Sequence, residues 1–335
     1  MSDQIAAEVC QVNIGPNDDF VKRFQEIEAF FTASPKKWVF RGQRNKKRGL
    51  VSSLERIELP KWKVTKADWL AEITKTKDVK DALSEYQQER FDEKWQHQIK
   101  EKEKAMIERF KARLRIDVGS DQRQIPYLAI MQHYGIPTRL LDFTEEIAVA
   151  LYFAFEKPRK EGEDENNDRV IWAVQIDPIE IHSKQYKAFF QKADTCNNKE
   201  AWNYAADELF KSEVKIIPST LKRRVVPVWM APNNPRMMAQ KGLFLMAQHL
   251  GNGMFDFLNT LPPSATQFKT PEYSIEEFLS LPKNKEKKIA VIKIIFDDGL
   301  RRVAKRFLNK KNIIKKTVYP DMANVRNEIC AEFGY

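Results

Sequence analysis

A chain of 335 residues with 42% hydrophobic and 31% charged side chains, seven Trp and twenty-one Phe among them, holds too much apolar and aromatic material to stay disordered. Its net charge of +10 is concentrated, because residues 283–316 carry thirteen Lys or Arg against only Glu286, Asp297 and Asp298. No basic region followed by an apolar run opens the chain and nowhere do about eighteen apolar residues follow one another, which argues against export and membrane spanning and for a cytoplasmic protein.

Cys10, Cys196 and Cys330 are three and far apart, so neither a disulfide framework nor a thiolate metal set is expected. His97, His133, His182 and His249 are equally scattered, and no metal is predicted.

In chain order, Asn17 or Asp18 can cap a helix whose Phe20, Phe24, Ile27 and Phe31 recur at helical spacing and which Pro35 stops. Residues 1–34 are therefore read as an N-terminal helical segment. Lys37 to Phe40 reads as a short strand that delivers Arg41 at its C-terminal edge, with Gly42 releasing the chain into a turn. From about 66 to 116 the sequence is highly charged, and Phe91, Trp95 and Ile99, then Met106, Phe110 and Leu114, step by roughly four. This predicts a helical insertion packed by one face on the main body, or alternatively an exposed coiled pair that binds a partner.

Gln124 to His133 predicts a short helix ended near Gly135 and Pro137, followed by a buried Leu140-Leu141. Thr144, with Glu145 and Glu146 behind it, reads as the start of a helix from Ile147 to Phe155 that is apolar on nearly every side and so belongs in the core. Arg159 to Arg169 reads as an exposed turn. Strands are expected at Val170 to Ile176, Val225 to Met230, Leu243 to Ala247 and Ile289 to Phe296, and a helix at Leu300 to Leu308 with Val303, Ala304 and Phe307 facing inward. A glycine-rich dinucleotide turn and a P-loop are both missing, which disfavours a doubly wound cofactor domain.

Candidate chemistry gathers in two segments. Arg41, at a strand end, offers a fixed fork of donors suited to phosphate or carboxylate, or else ties two loops together through backbone carbonyls. Gln43 would orient a ligand amide or the arginine. In Gln132 to Thr144, His133 can titrate near neutrality and Tyr134 can stack on a ring, or each caps the helix or fills the core. Arg139 and Asp142 form either an ion pair that closes the turn or part of a binding shell.

Phe40-Arg41-Gly42-Gln43, Glu108-Arg109-Phe110-Lys111, Gln132 to Phe143, Ala148-Val149-Ala150-Leu151-Tyr152-Phe153-Ala154, Pro235-Arg236 with Gln240-Lys241-Gly242-Leu243-Phe244, and Tyr319-Pro320-Asp321-Met322 together resemble the FRG domain proteins, named for an aromatic-Arg-Gly motif. That resemblance implies an FRG-like domain over residues 35–335, of a kind found in bacterial and phage proteins. Its opening strand resembles the first motif of ADP-ribosyltransferases. The fold so implied is α+β, an ADP-ribosyltransferase-like split β-sheet core with a long helical insertion.

The implied activity is consumption of NAD, by ADP-ribosyl transfer to protein or nucleic acid or by hydrolysis. Arg41 would hold a phosphate or ribose, with Gln43, His133, Tyr134, Arg139 and Asp142 lining the nucleotide. Asp321 or Glu328 would face the cationic ribose, or Gln240 would place an amide there. The alternatives are a non-catalytic nucleotide or nucleic-acid binding module, with 283–316 beside the cleft to attract nucleic acid or an acidic protein, and an interaction protein of a phage or phage-defence system.

Overall fold

The computed structural model describes residues 8–47, 49–58, 61, 85–114, 123–158, 168–176, 225–229, 235–247, 271–282 and 289–320, with 199, 203, 206, 207, 210, 211 and 250. In chain order the elements are β1 (Glu8–Ile14), α1 (Phe20–Ala33), β2 (Trp38–Gln43), α2 (Glu85–Leu114), α3 (Ile125–His133), β3 (Leu140–Thr144), α4 (Ile147–Phe155), β4 (Arg169–Gln175), β5 (Val225–Val228), α5 (Pro235–Ala239), β6 (Gly242–Ala247), β7 (Glu272–Tyr273), α6 (Ile275–Leu279), β8 (Ile289–Phe296), α7 (Arg301–Lys310) and α8 (Lys315–Val318). The eight strands form one mixed sheet in the order β5-β6-β3-β2-β4-β8-β1-β7. Its ladders are antiparallel except at β1, which runs parallel to both β8 and β7. The chain is thus a mixed α+β fold. Among the described residues no helix is long and apolar enough to cross a membrane.

Both faces of the sheet are covered, which explains why β4 is buried almost throughout rather than on alternate residues. Val39, Leu141, Val170 and Trp172 point to one face, where α3 and the Ile107–Phe110 turn of α2 pack. Trp38, Phe40, Ile171 and Ala173 point to the other, under α1, α4 and α7. The expected inward stripe of the helical insertion is present at Trp95, Ile99 and Phe110, which are buried, as is Ile107 beside Met106. The side chains of Phe91 and Leu114 lie outside the described residues.

Several local expectations change. The first 34 residues contain a strand as well as a helix: Cys10, Val12 and Ile14 alternate into the core, while Asp19, not Asn17 or Asp18, caps α1 by accepting from Lys22 N at 3.2 Å. Gly42 lies inside β2 instead of in a turn. Thr144 closes β3 instead of starting a helix, while α4 runs Ile147–Phe155 as expected. On α7 the inward residues are Ala304, Phe307 and Leu308, with Val303 on the exposed side.

Candidate functional site

β2 and β3 are neighbours in the sheet yet share one paired position, Phe40 with Thr144. Beyond it the segment 49–54 lies between them. Gln43 Nε2 donates to Gly49 O at 3.4 Å, Leu54 N to Thr138 O at 3.2 Å, and Thr138 N to Ser53 Oγ at 3.0 Å. One main-chain and two side-chain bonds through residues 49–54 replace the missing ladder at this seam. Arg41, from β2, donates through Nη1 to the Asp142 main-chain oxygen at 2.6 Å and lies 3.6 Å from the Asp142 carboxylate.

The Asp142 carboxylate is steadied from the far side. Gln132, near the end of α3, donates through Nε2 to Asp142 Oδ2 at 3.2 Å and to Leu140 O at 3.3 Å, while its carbonyl accepts from Thr138 Oγ1. The turn that brings Gln132 there is fixed by Gly135 at φ +77°, with Gly135 N bonded to Gln132 O and Ile136 N to Met131 O, a helix end that only a residue tolerant of the left-handed region completes cheaply.

Charge at the seam is unbalanced. The Arg41 side chain is 18% exposed, and its Nε is buried with no acceptor. Burial, and after it the neighbouring Arg56 charge, push the Arg41 pKa down, against the opposing pull of Asp142. Arg56 is exposed and donates through Nη1 to Val51 O at 2.8 Å. Arg41 pairs with the Asp142 carboxylate while Arg56 adds a second positive charge close enough to be felt by it, and the Arg41 Nε–H is unsatisfied.

Other predicted site residues divide between this seam and the frame around it. Asp142 is 62% exposed by side chain and Tyr134 is 67% exposed, its ring 6.3 Å from Phe110 and 5.7 Å from His133. Both rings lie just beyond Gln132 in the chain, at the surface rather than in the core. Gln43 is a tie within the fold, its Oε1 accepting from Trp172 Nε1 at 3.0 Å. Arg139 is buried and pairs with Glu103 of α2 through Nε at 2.8 Å, so the ion pairs run Arg41–Asp142 and Arg139–Glu103 instead of Arg139–Asp142. Arg139 also donates to Ala247 O at 3.3 Å and lies 5.1 Å over the Phe210 ring.

The Gln240 side chain is buried elsewhere, donating through Nε2 to Val318 O at 3.0 Å, while its main-chain carbonyl accepts from Thr144 Oγ1. Asp321 and Glu328 lie outside the described residues. A cavity of about 480 Å³ is lined by Phe31, Trp38, Phe40, Glu145 and Glu146, residues of the α1–α4 side, and not by Arg41. Sequence reasoning missed Arg56 and Ser53, which nothing in their local pattern singles out. It also set 283–316 beside the cleft: Lys293, over the Trp172 ring, faces the side to which Arg41 points, whereas α7 packs on the opposite face, and 283–288 lie outside the described residues. Among the described residues no group of three or more His, Cys, Asp or Glu is placed to hold a metal.

Residues 36–163 match the family model described as FRG domain. The match takes in the seam, Arg41, Gln132, Arg139 and Asp142 included, and stops short of Gln240. Comparison with curated proteins found no match, and comparison with solved structures found none either.

Proposed function

We propose that the seam between β2 and β3 binds the phosphate of a nucleotide, NAD being the ligand that the ADP-ribosyltransferase-like reading names. The observation that carries this is the buried Arg41 Nε without an acceptor, set beside a second guanidinium, Arg56. An anionic oxygen there would satisfy the orphan N–H and balance the surplus charge, both worth more in a partly buried site than in water. The single pairing of β2 with β3 is compatible with a split core, and the exposed Tyr134 ring is available for stacking on a base.

Calorimetric titration with NAD, ADP-ribose and ATP tests the reading. Arg41→Ala is expected to weaken binding roughly 10- to 100-fold, the worth of a lost charged hydrogen bond, with Arg41→Lys intermediate because the fork geometry is lost and the charge kept. Equal affinity in Arg41→Ala, with its circular dichroism spectrum unchanged, would reduce Arg41 to a strut between strands.

NAD consumption is a second reading, favoured by the exposed Asp142 carboxylate held next to Arg41. A carboxylate there would stabilise the positive charge that develops on the ribose as nicotinamide leaves. On this reading, labelled NAD releases nicotinamide, and Asp142→Asn stops the release while binding persists. A protein that binds NAD and releases nothing with protein or nucleic acid acceptors present is a binding module.

A further inference from the structure

We propose that the exposed face of α7, continued into α8, binds the phosphate backbone of nucleic acid. Arg302, Arg306 and Lys310 are exposed and recur every fourth residue, so they form a row with steps of about 6 Å along the helix, and Lys315 extends it. Among the described residues none of these four has an acidic partner. The nearby acids are engaged elsewhere: Glu28 by Lys311 at 2.6 Å, Asp298 by Arg169, Asp297 as the cap that accepts from Gly299 N, and Glu156, the acid that Lys305 feels, by the Tyr319 hydroxyl. An ordinary solvated helix face interleaves both signs of charge, and residues 299–320 contain no Asp or Glu at all.

Helix electrostatics sharpen the point. Arg301 and Arg302 occupy the first turn of α7, at the positive end of its dipole, and no acid sits in that turn to offset them. Stability alone would select the reverse arrangement. A polyanion that bridges the row removes the repulsion.

The surface also discriminates among polyanions. A membrane-binding helix would turn its apolar side to the lipid, but Ala304, Phe307 and Leu308 are buried against α1 and α4, leaving Val303 as the one partly exposed apolar side chain of α7. An acidic protein partner would call for an aromatic or aliphatic anchor at the centre of the contact, and the row offers none. A backbone of evenly repeated phosphates needs neither.

Fluorescence anisotropy with labelled single-stranded and duplex DNA of mixed sequence tests the assignment. Between about 50 and 200 mM salt, affinity is expected to fall at least about 40-fold for the duplex and about 18-fold for the single strand, as three phosphate contacts require. The triple substitution Arg302→Gln, Arg306→Gln and Lys310→Gln, all at exposed positions, should flatten the salt slope by about three while leaving nucleotide titration at the seam unchanged. No DNA binding at low salt, or a triple variant with the original slope, overturns the proposal. So does equal binding to phosphatidylserine vesicles that the same variant abolishes, which would make the surface a membrane site. Loss of nucleotide binding with DNA binding intact would strike only the seam.

Discussion

β2 passes under α4 at Gly42, where an added Cβ would lie 1.8 Å from the carbonyl oxygen of Ala150 and 2.8 Å from Ala154 N. Those neighbours are main chain inside a buried helix, so they cannot swing aside as a side-chain tip would. The close approach seats α4 on the middle of the sheet next to Arg41. Gly42→Ala is expected to destabilise the fold by about 3 kcal/mol or more, seen as a lower urea midpoint at unchanged slope. Gly242→Ala is the control: its nearest contact would be the flexible Met237 tip at 2.9 Å, and it should lose clearly less. Equal losses would mean that α4 can lift away.

The Glu103–Arg139 pair joins α2 to the start of β3 in the interior, with side-chain exposures of 1% and 4%. Glu103 Oε1 has no donor, so the carboxylate is held by one oxygen. Removing either partner strands the other charge, and Glu103→Ala or Arg139→Ala should each cost about 3–5 kcal/mol. Replacing both by Met should cost much less than the two single losses added together. A double-mutant cycle in urea measures the coupling, and strict additivity would show that the two charges do not depend on each other.

What was legible in the sequence was whatever a local period encodes. The Phe20–Phe24–Ile27 stripe, the all-apolar α4 and the Ile289–Phe296 strand follow from spacing, whereas β1 was missed in the helical reading of residues 1–34 despite Cys10, Val12 and Ile14 alternating with Gln11 and Asn13. On α7 Ala304 and Phe307 face inward as expected, but Val303, a helical step of roughly 100° from Ala304, faces out and Leu308 takes its place. The long-range partners carry no local trace: Arg139 stands three residues from Asp142, yet its partner is 36 residues away and that of Asp142 is 101 away. Gly42 looked like a turn because its actual constraint, the Ala150 carbonyl, belongs to a helix far along the chain.

Gln240 tests the boundary between site and scaffold. Its side-chain amide bond to Val318 O ties the start of β6 to α8; only its main-chain carbonyl reaches the seam, at Thr144, and no bond joins its side chain to Arg41 or Asp142 among the described residues. Gln240→Ala should cost about 1–2 kcal/mol and leave nucleotide affinity unchanged. Gln240→Glu should cost more, since a carboxylate oxygen would face the Val318 carbonyl. If nucleotide affinity or nicotinamide release changed in a variant whose stability did not, Gln240 would belong to the chemistry after all.

Lys100 offers a pH signature of the same interior. Burial, and then the Arg139 and Lys104 charges, lower its pKa to about 8, with Glu101 and Glu103 opposing. Below about pH 8 the ammonium is charged in both folded and unfolded chains, so the cost of burying it is fully present. Between about 8 and the ordinary value of 10.5 the folded protein has lost a proton that the unfolded chain keeps, and stability rises with pH through this window. Lys100→Met removes the titrating group while keeping the apolar stem. The variant is therefore expected to be the more stable protein at pH 7, with an advantage over the unsubstituted chain that shrinks steadily toward pH 10. Urea midpoints of both proteins across that range measure the difference, in which titrations of all other groups cancel. A gap that stays constant or widens with pH would show that Lys100 reaches solvent and carries no burial cost.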